Sequence, residues 1–486
     1  MDIGRDLDPA RPVVVLFRHD LRIADNRALY AAAASGKPVA AIFVLDDEVP
    51  GGRRLGGARR WWLHHSLSAL AGNLDALGVR LALRRGEMRE IATAAAIETG
   101  ADLVLWNRRY DPHGMAADIA MKSTLGERGI ATESFGGHLL HEPWRVTTGA
   151  GGPYKVYSPF WRALVAAGEP RDQAPAPRQL RAWQESLRSD ALDDWDLLPG
   201  QPDWSGGLAA EWTPGEAGAA ARLDAFLDGP IDGYGDGRDM PGMRGTSRLS
   251  PHLTHGEITP FQIWAALKDR STAPARDLEK FRKEVGWREF AWHLLYHKPD
   301  LATANFHRTF DSFPWRRDDA SLRRWQRGLT GYPLVDAGMR ELWQTGWMHN
   351  RVRMVTASFL IKHLLVDWRI GEAWFWDTLV DADPASNPAS WQWVAGSGAD
   401  AAPYFRIFNP ILQGEKFDAH GAYVRAFVPE LGPLPDQLVQ NPWKATKSAL
   451  DRAGVKLGAT YPVTVIDHAA ARDRALHAYK TIRGDA

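Results

Sequence analysis

From Val13 to about Gly136, short apolar runs alternate with helical patterns. VVVLFR precedes the segment after Asn26, VAAIFVLD precedes Ala58 to Leu77, RLALRR precedes Glu87 to Thr99, and DLVLWN precedes Met115 to Arg128. Uninterrupted apolar runs followed by 3.6-residue periodicity predict strand–helix units, and their repetition predicts an α/β fold with a doubly wound parallel sheet. Ligands of such sheets collect at the carboxyl ends of the strands. That rule points to Arg18, His19 and Asp20, to Asp46 and Asp47, and to Asn107 and Arg108, each of which alone reads equally well as a solvated loop residue.

Residues 139–215 are rich in Pro, Gly, Asp and Arg, with APAPRQL and DLLPGQPDWSGGL as examples, and read as a long connector over the surface. YKVYSPFWRAL inside it suggests a docked helix. From Glu216 onward helical periodicity dominates, in Leu278 to Tyr296, Leu322 to Arg327, Asp336 to Trp343 and Arg353 to Leu365. The expected division is an α/β domain over 12–138, a connector over 139–215 and a large all-α domain over 216–486.

Lys+Arg and Asp+Glu are equal at 59 each, so whole-molecule charge gives no sign of a nucleic-acid or membrane partner, and any DNA binding rests on a local patch. The absence of cysteine excludes disulfides, thiolate-bound zinc and cysteine-ligated iron–sulfur clusters. No apolar run reaches the roughly 18 residues of a membrane span, and the start MDIGRDLDPARP has no signal-peptide core, which favours a cytoplasmic protein. Tryptophan changes the picture most: 13 of the 22 copies lie between Trp264 and Trp443, more than packing requires.

The densest chemistry is the block DADPASNPASWQWVAGSGADAAPYFRIFNP. Asp381, Asp383 and Asn387 stand beside Trp391 and Trp393, so burying the indoles places polar groups where each needs a partner, and a cofactor or substrate is one such partner. DADPASN opens like a calcium loop, but Ala385, Ser386 and Gln392 replace the later ligands. No H-E-x-x-H or G-x-S-x-G occurs, so zinc-hydrolase and serine-hydrolase chemistry is unsupported and no metal is expected. In GTSRLSPHL, Ser250 is placed to cap a helix that begins at Pro251, while Thr246, Ser247 and Arg248 supply hydroxyls, amides and a cation suited to a diphosphate; a plain helix cap is the alternative. KEVGWREFAWHLL puts Glu284 and Trp287 on one helical face, a carboxylate beside a stacking surface or a simple amphipathic helix.

Together GTSRLSP, WREF, TGYPLVDAGMRELWQTGWMHNRVRM, DWRIGE, NPASWQWVAGSGADAAPYFRIFNP and QGEKFDAHGAYVR resemble the photolyase/cryptochrome family, in its class I type cyclobutane-dimer branch. The resemblance runs from FRHDLRIADN at Phe17 to the end of the chain. It implies FAD in the helical domain, held by Tyr234, Thr246, Ser247, Arg248, Leu249, Ser250, Arg353, Asp381, Asp383 and Asn387, with Asn387 near the flavin N5. Plant-type cryptochromes of the family place an acid there, so Asn387 favours repair over sensing.

The implied substrate is a cyclobutane pyrimidine dimer flipped out of UV-damaged DNA. Trp287 and Trp393 match the indoles that flank it, Glu284 and Asn350 its hydrogen-bonding groups, and Met354 its wall. Photoexcited FADH⁻ would pass an electron to the dimer and recover it after ring opening, with Glu284 donating a proton in a hydrogen bond. The 6-4 photolyases carry histidines where this chain has Asn350 and Met354. Trp391, Trp368 and Trp315 match the family's electron-hopping tryptophans, and Arg238, Arg288, Arg351, Arg406, Gln413 and Lys416 its DNA-contacting positions. Asn107 sits at an antenna position, where RRYDP does not separate methenyltetrahydrofolate, the first expectation, from an 8-hydroxy-deazaflavin. The family reading implies a monomer. A cryptochrome-type photoreceptor without repair activity is the alternative, and a flavoprotein oxidoreductase acting in the dark a third.

Overall fold

A computed structural model describes residues 7–185, 187–269, 273–400 and 405–483. Five parallel strands, β1 (Val13–Phe17), β2 (Val39–Leu45), β3 (Leu81–Arg85), β4 (Leu103–Asn107) and β5 (Ala131–Phe135), form one sheet in the order β3-β2-β1-β4-β5. Val13 stands opposite Val39 on one side and Leu103 on the other. β1, β2 and β4 are buried at every position, which is why they read as unbroken apolar runs: helices cover both faces of the sheet. Val13, Val15 and Phe17 join Leu63, Leu67, Leu70 and Leu74 of the helix Gly57–Ala76 on one face. Val14 and Leu16 join Ala92, Ala95, Met121 and Leu125 of the helices Met88–Thr99 and Pro112–Glu127 on the other. With Arg27–Ala34 these helices are α1 (Arg27–Ala34), α2 (Gly57–Ala76), α3 (Met88–Thr99) and α4 (Pro112–Glu127).

The fifth strand has no counterpart in the expected units. Its ATESF is half-exposed at the sheet edge and lacks the apolar run of the inner strands. The connector departs from a pure surface path. It forms α5 (Tyr157–Ala166) in the docked segment, buries Leu180, Trp195 and Leu197 in the sheet core, and pairs with the start of β2 through Val39 N to the Arg181 carbonyl at 2.7 Å.

The helical half contains α6 (Ala275–His297), α7 (Pro333–Thr345), α8 (Asn350–Ser358), α9 (Trp368–Thr378), α10 (Ser386–Ala395) and α11 (His468–Arg483). The expected helix Arg353 to Leu365 is interrupted: α8 gives way to a π-helical turn, Phe359–His363, that buries Lys362 and His363. The halves meet tightly. Trp62 of α2 donates through Nε1 to Glu257 at 2.8 Å and lies against the His255 ring at 5.7 Å. Next to it Gly256 adopts φ +67°, and a Cβ there would fall 2.0 Å from the His19 carbonyl oxygen. No helix among the described residues is long and apolar enough to cross a membrane.

Candidate functional site

The turn between α9 and α10 carries Asp381 and Asp383, both buried. Asp381 Oδ2 accepts from Ser250 Oγ at 2.6 Å and from Arg353 Nη2 at 2.8 Å, while Oδ1 is buried without a partner. Ser250 therefore does not cap its helix as expected; Ser250–His255 follows Leu249 with no side-chain cap, because the hydroxyl is drawn to a carboxylate 131 residues away. Trp347 donates through Nε1 to Ser250 Oγ at 3.3 Å and underlies two cations, Arg248 at 4.3 Å and Arg353 at 5.7 Å. Arg248 takes the left-handed conformation, φ 52°, and its guanidinium lies between Trp347 and Trp212 with Glu211 at 2.8 Å; its Nε has no partner. The structure thus gathers Arg248, Ser250, Arg353 and Asp381, while Leu249 and Tyr234 are buried together with Phe226 and Phe281. Thr246 and Ser247 lead directly into the cluster.

Asp383 and Asn387 are organised differently. Asp383 Oδ1 accepts from the amides of Ala385 and Ser386, fixing the start of α10, and Oδ2 accepts from Trp292 Nε1 at 3.2 Å. The Asn387 amide donates to Glu372. A buried carboxylate oxygen of Asp381 and the Arg248 Nε over Trp347, both unsatisfied, fit a group that offers an N–H donor and an anion together, as an isoalloxazine and a diphosphate do.

A second cluster faces outward. Trp287 is 38% exposed and stacks on Tyr157 at 3.7 Å and 8°, with Tyr157 held by its hydroxyl on the Lys283 carbonyl. Beside it both oxygens of Glu284 accept from Arg238. Asp239 links Arg238 to Arg351, which it pairs with at 2.8 Å, and Arg351 and Lys416 both lie over Phe417. Asn350 is exposed at the start of α8, and Met354 and Trp393 are half-buried against the helical core. Arg406 is exposed over Phe408, and Gln413 is half-buried. Arg288 is a correction: it turns inward to His138 and Glu289, with its side chain 11% exposed, and leaves the outward set.

Trp391 is buried edge-on to Phe375 at 4.9 Å and to Trp325 at 6.4 Å. It fits against α9 because position 371 is glycine; a Cβ there would meet its ring at 2.2 Å. Trp368, at the start of α9, is fully buried with Nε1 on Asn305, and Trp315 is half-buried against Phe313.

At the carboxyl ends of the strands, where the order reverses between β1 and β4, lies a cavity of about 300 Å³ lined by Arg18, His19, Asp46, Asp47, Arg59 and Trp376 among others. Most of its charges are paired: Arg18 with Asp118, and Arg109 with Asp46 and Asp111. Burial raises the Asp46 pKa, but Arg109 and His113 outweigh it and hold the carboxyl at about 2. Arg59 is the exception, buried over Trp376 with Nε unpartnered and lowered to about 10 by burial. Asn107 does not line this cavity; its amide donates to Asp20 and Asn26 beside a smaller pocket.

Residues 13–178 match the family model described as DNA photolyase, and residues 281–481 the one described as FAD binding domain of DNA photolyase. The chain is 55% identical to a deoxyribodipyrimidine photo-lyase of Agrobacterium fabrum, covering 97% of this chain and 98% of that one. The chain belongs to the photolyase/cryptochrome family. Within it, cryptochrome-1 of Arabidopsis thaliana is 37% identical over 94% of this chain and 69% of its own. The crystal structure of a bacterial class III photolyase from Agrobacterium tumefaciens superposes with a TM-score of 0.95 at 54% identity, covering all of both chains. The family fold, a parallel sheet followed by a helical FAD-binding domain, is the fold observed here.

Tyr157, Trp347, Glu372, Arg53, Arg59 and Trp376 escaped sequence reasoning. Only Tyr157 left a local signal, its i, i+4 spacing with Trp161 in the docked helix.

Proposed function

We propose that the protein is a deoxyribodipyrimidine photo-lyase that holds FAD around Asp381 and Trp347 and uses light to reverse cyclobutane pyrimidine dimers in DNA. The observation that carries this reading is the exposed Trp287 indole, laid flat on Tyr157 beside the string Glu284, Arg238, Asp239 and Arg351. An indole with one face packed and the other open suits unstacked bases, a contact worth about 1–3 kcal/mol per base, and the neighbouring arginines suit the flanking phosphates.

When bound, reduced FAD supplies the light-excited electron that opens the cyclobutane ring and takes it back. Arg353, Ser250 and Asp381 hold one edge of the flavin, Arg248 and the hydroxyls of Thr246 and Ser247 its diphosphate, and Asn387 its N5 side. Trp391, Trp368 and Trp315 carry electrons between flavin and surface. Trp287 and Trp393 flank the dimer, with Asn350 and Met354 along its wall. DNA phosphate competes with Glu284 for Arg238; once released, Glu284 turns to the lesion.

The 54% identity to a class III photolyase favours class III over the class I branch first expected. An aromatic antenna occupies the cavity at the strand ends. The buried Arg59 over Trp376, whose Nε has no partner among the described residues, favours methenyltetrahydrofolate, whose carboxylates match the cation, over a deazaflavin. The enzyme acts as a cytoplasmic monomer.

Purified protein with reduced FAD, given dimer-containing DNA and blue light, restores the pyrimidines and does nothing in the dark. Persistence of the dimers would replace repair by the photoreceptor reading, and turnover in the dark would replace both. Glu284→Ala lowers repair per photon without changing the flavin spectrum; loss of FAD instead would remove Glu284 from the substrate site.

A further inference from the structure

A second polar chain crosses from the sheet half into the helical half, in the loop between β2 and α2. Arg53 donates through Nη1 to Glu372 Oε1 at 2.8 Å and through Nη2 to Oε2 at 2.7 Å. Its guanidinium lies 3.8 Å above the Trp376 ring, and Trp376 in turn donates to the Arg54 carbonyl at 2.8 Å, so the loop is held on α9 from both sides. Glu372 Oε1 also accepts from Asn387 Nδ2 at 2.8 Å, and the Glu372 carbonyl accepts from the same nitrogen at 3.1 Å. Nδ2 is therefore committed to Glu372, and the Asn387 amide is fixed with Oδ1 turned away from it.

Glu372 is almost fully buried, with a side-chain exposure of 4%. A buried carboxylate that loses its cation leaves an uncompensated charge, the costly half of a broken ion pair. Here that charge would stand one hydrogen bond from Asn387.

We infer that Arg53 is a positioning residue for Asn387: through Glu372 it fixes the amide and neutralises the carboxylate behind it, so the sheet half sets the electrostatics on the N5 side of the flavin. The inference rests on the proposed placement of Asn387 at the flavin. Its physical content is a sign. Adding electrons to a flavin beside an unpaired anion is harder, so removing the guanidinium lowers the reduction potential, and removing the carboxylate as well cancels that lowering.

The test is spectroelectrochemical titration of the FAD-loaded full-length protein and four variants. Arg53→Met keeps the aliphatic stem and should lower the potential; Arg53→Lys keeps the charge and should stay near wild type. Glu372→Gln, which preserves an acceptor for Asn387 but removes the anion, should raise the potential, and Arg53→Met combined with it, which removes both charges, should return near wild type. An unchanged potential in Arg53→Met would overturn the inference, and so would a double variant as low as Arg53→Met alone, which would trace the effect to Trp376 or the cavity. Circular-dichroism melting of each variant separates these shifts from misfolding. If the wild-type protein fails to retain FAD, the functional reading itself fails; FAD retained with no shift sinks only the role of Arg53.

Discussion

Trp287 and Trp391 are the same side chain in opposite settings. Trp287 is 38% exposed and has one ring face committed to Tyr157, leaving the other for a partner from outside. Trp391 is 2% exposed, meets its aromatic neighbours by their edges and presses on a glycine of α9. The first gives stacking area at little ordering cost because the ring is already held; the second gives an oxidisable ring in a dry, close-packed interior. Tryptophan abundance alone therefore says little, and what surrounds each ring decides what it can do.

Substitutions can break this contrast. The largest effect is expected of Trp391→Phe, which should abolish photoreduction of oxidised FAD, followed by absorption under blue light, yet leave repair by chemically reduced enzyme nearly intact. Wild-type photoreduction would make the interior ring packing only. Next, Trp287→Ala should weaken binding to dimer-containing DNA by roughly 5- to 150-fold, from about 1–3 kcal/mol of lost stacking, with undamaged DNA affected far less; an equal loss for both would make the exposed ring a general contact. Gly371→Ala forces a methyl into the Trp391 ring, and overpacking of this kind costs about 1–3 kcal/mol, read as a lower melting temperature.

A pH profile sharpens the interior side. Burial lowers the Lys362 pKa from 10.5 to about 7. A base with a depressed folded pKa has its full stability above the unfolded value and loses it as pH falls, here between 10.5 and about 7. Wild type should thus lose up to about 1.4 kcal/mol per pH unit relative to Lys362→Met across that window. Parallel pH–stability curves for the two proteins would show the ammonium is not desolvated.

The sheet was legible where the sequence states burial outright. β1, β2 and β4 are covered on both faces and carry no polar alternation, whereas β5 sits at the edge, where half-exposed Thr132, Glu133 and Ser134 give no apolar run. In the site, the residue types of GTSRLSP and DADPASN announced polar chemistry, but not their partners. Ser250 looked like a cap because local spacing favours one; its hydroxyl goes instead to Asp381, a choice made by tertiary packing. Arg288 follows Trp287 by one residue on α6, and a helix turns it about a hundred degrees away, into the interior. The partners Arg53 and Glu372, 319 residues apart, lay beyond any local pattern.

The close seat of Gly256 against His19 has a consequence for synthesis. Arg22 Nη1 bonds the Gly256 carbonyl across 234 residues of chain. At about 5–20 residues per second, the sheet half, complete only at Phe135, waits roughly 6–24 s on the ribosome before the surface that covers His19 exists. For that interval Trp62, fully buried in the finished molecule, has no Glu257 to bond and no His255 to lie against. The nascent sheet half is thus a natural client for chaperones, and a translational pause before Gly256 would lengthen the time it spends unshielded.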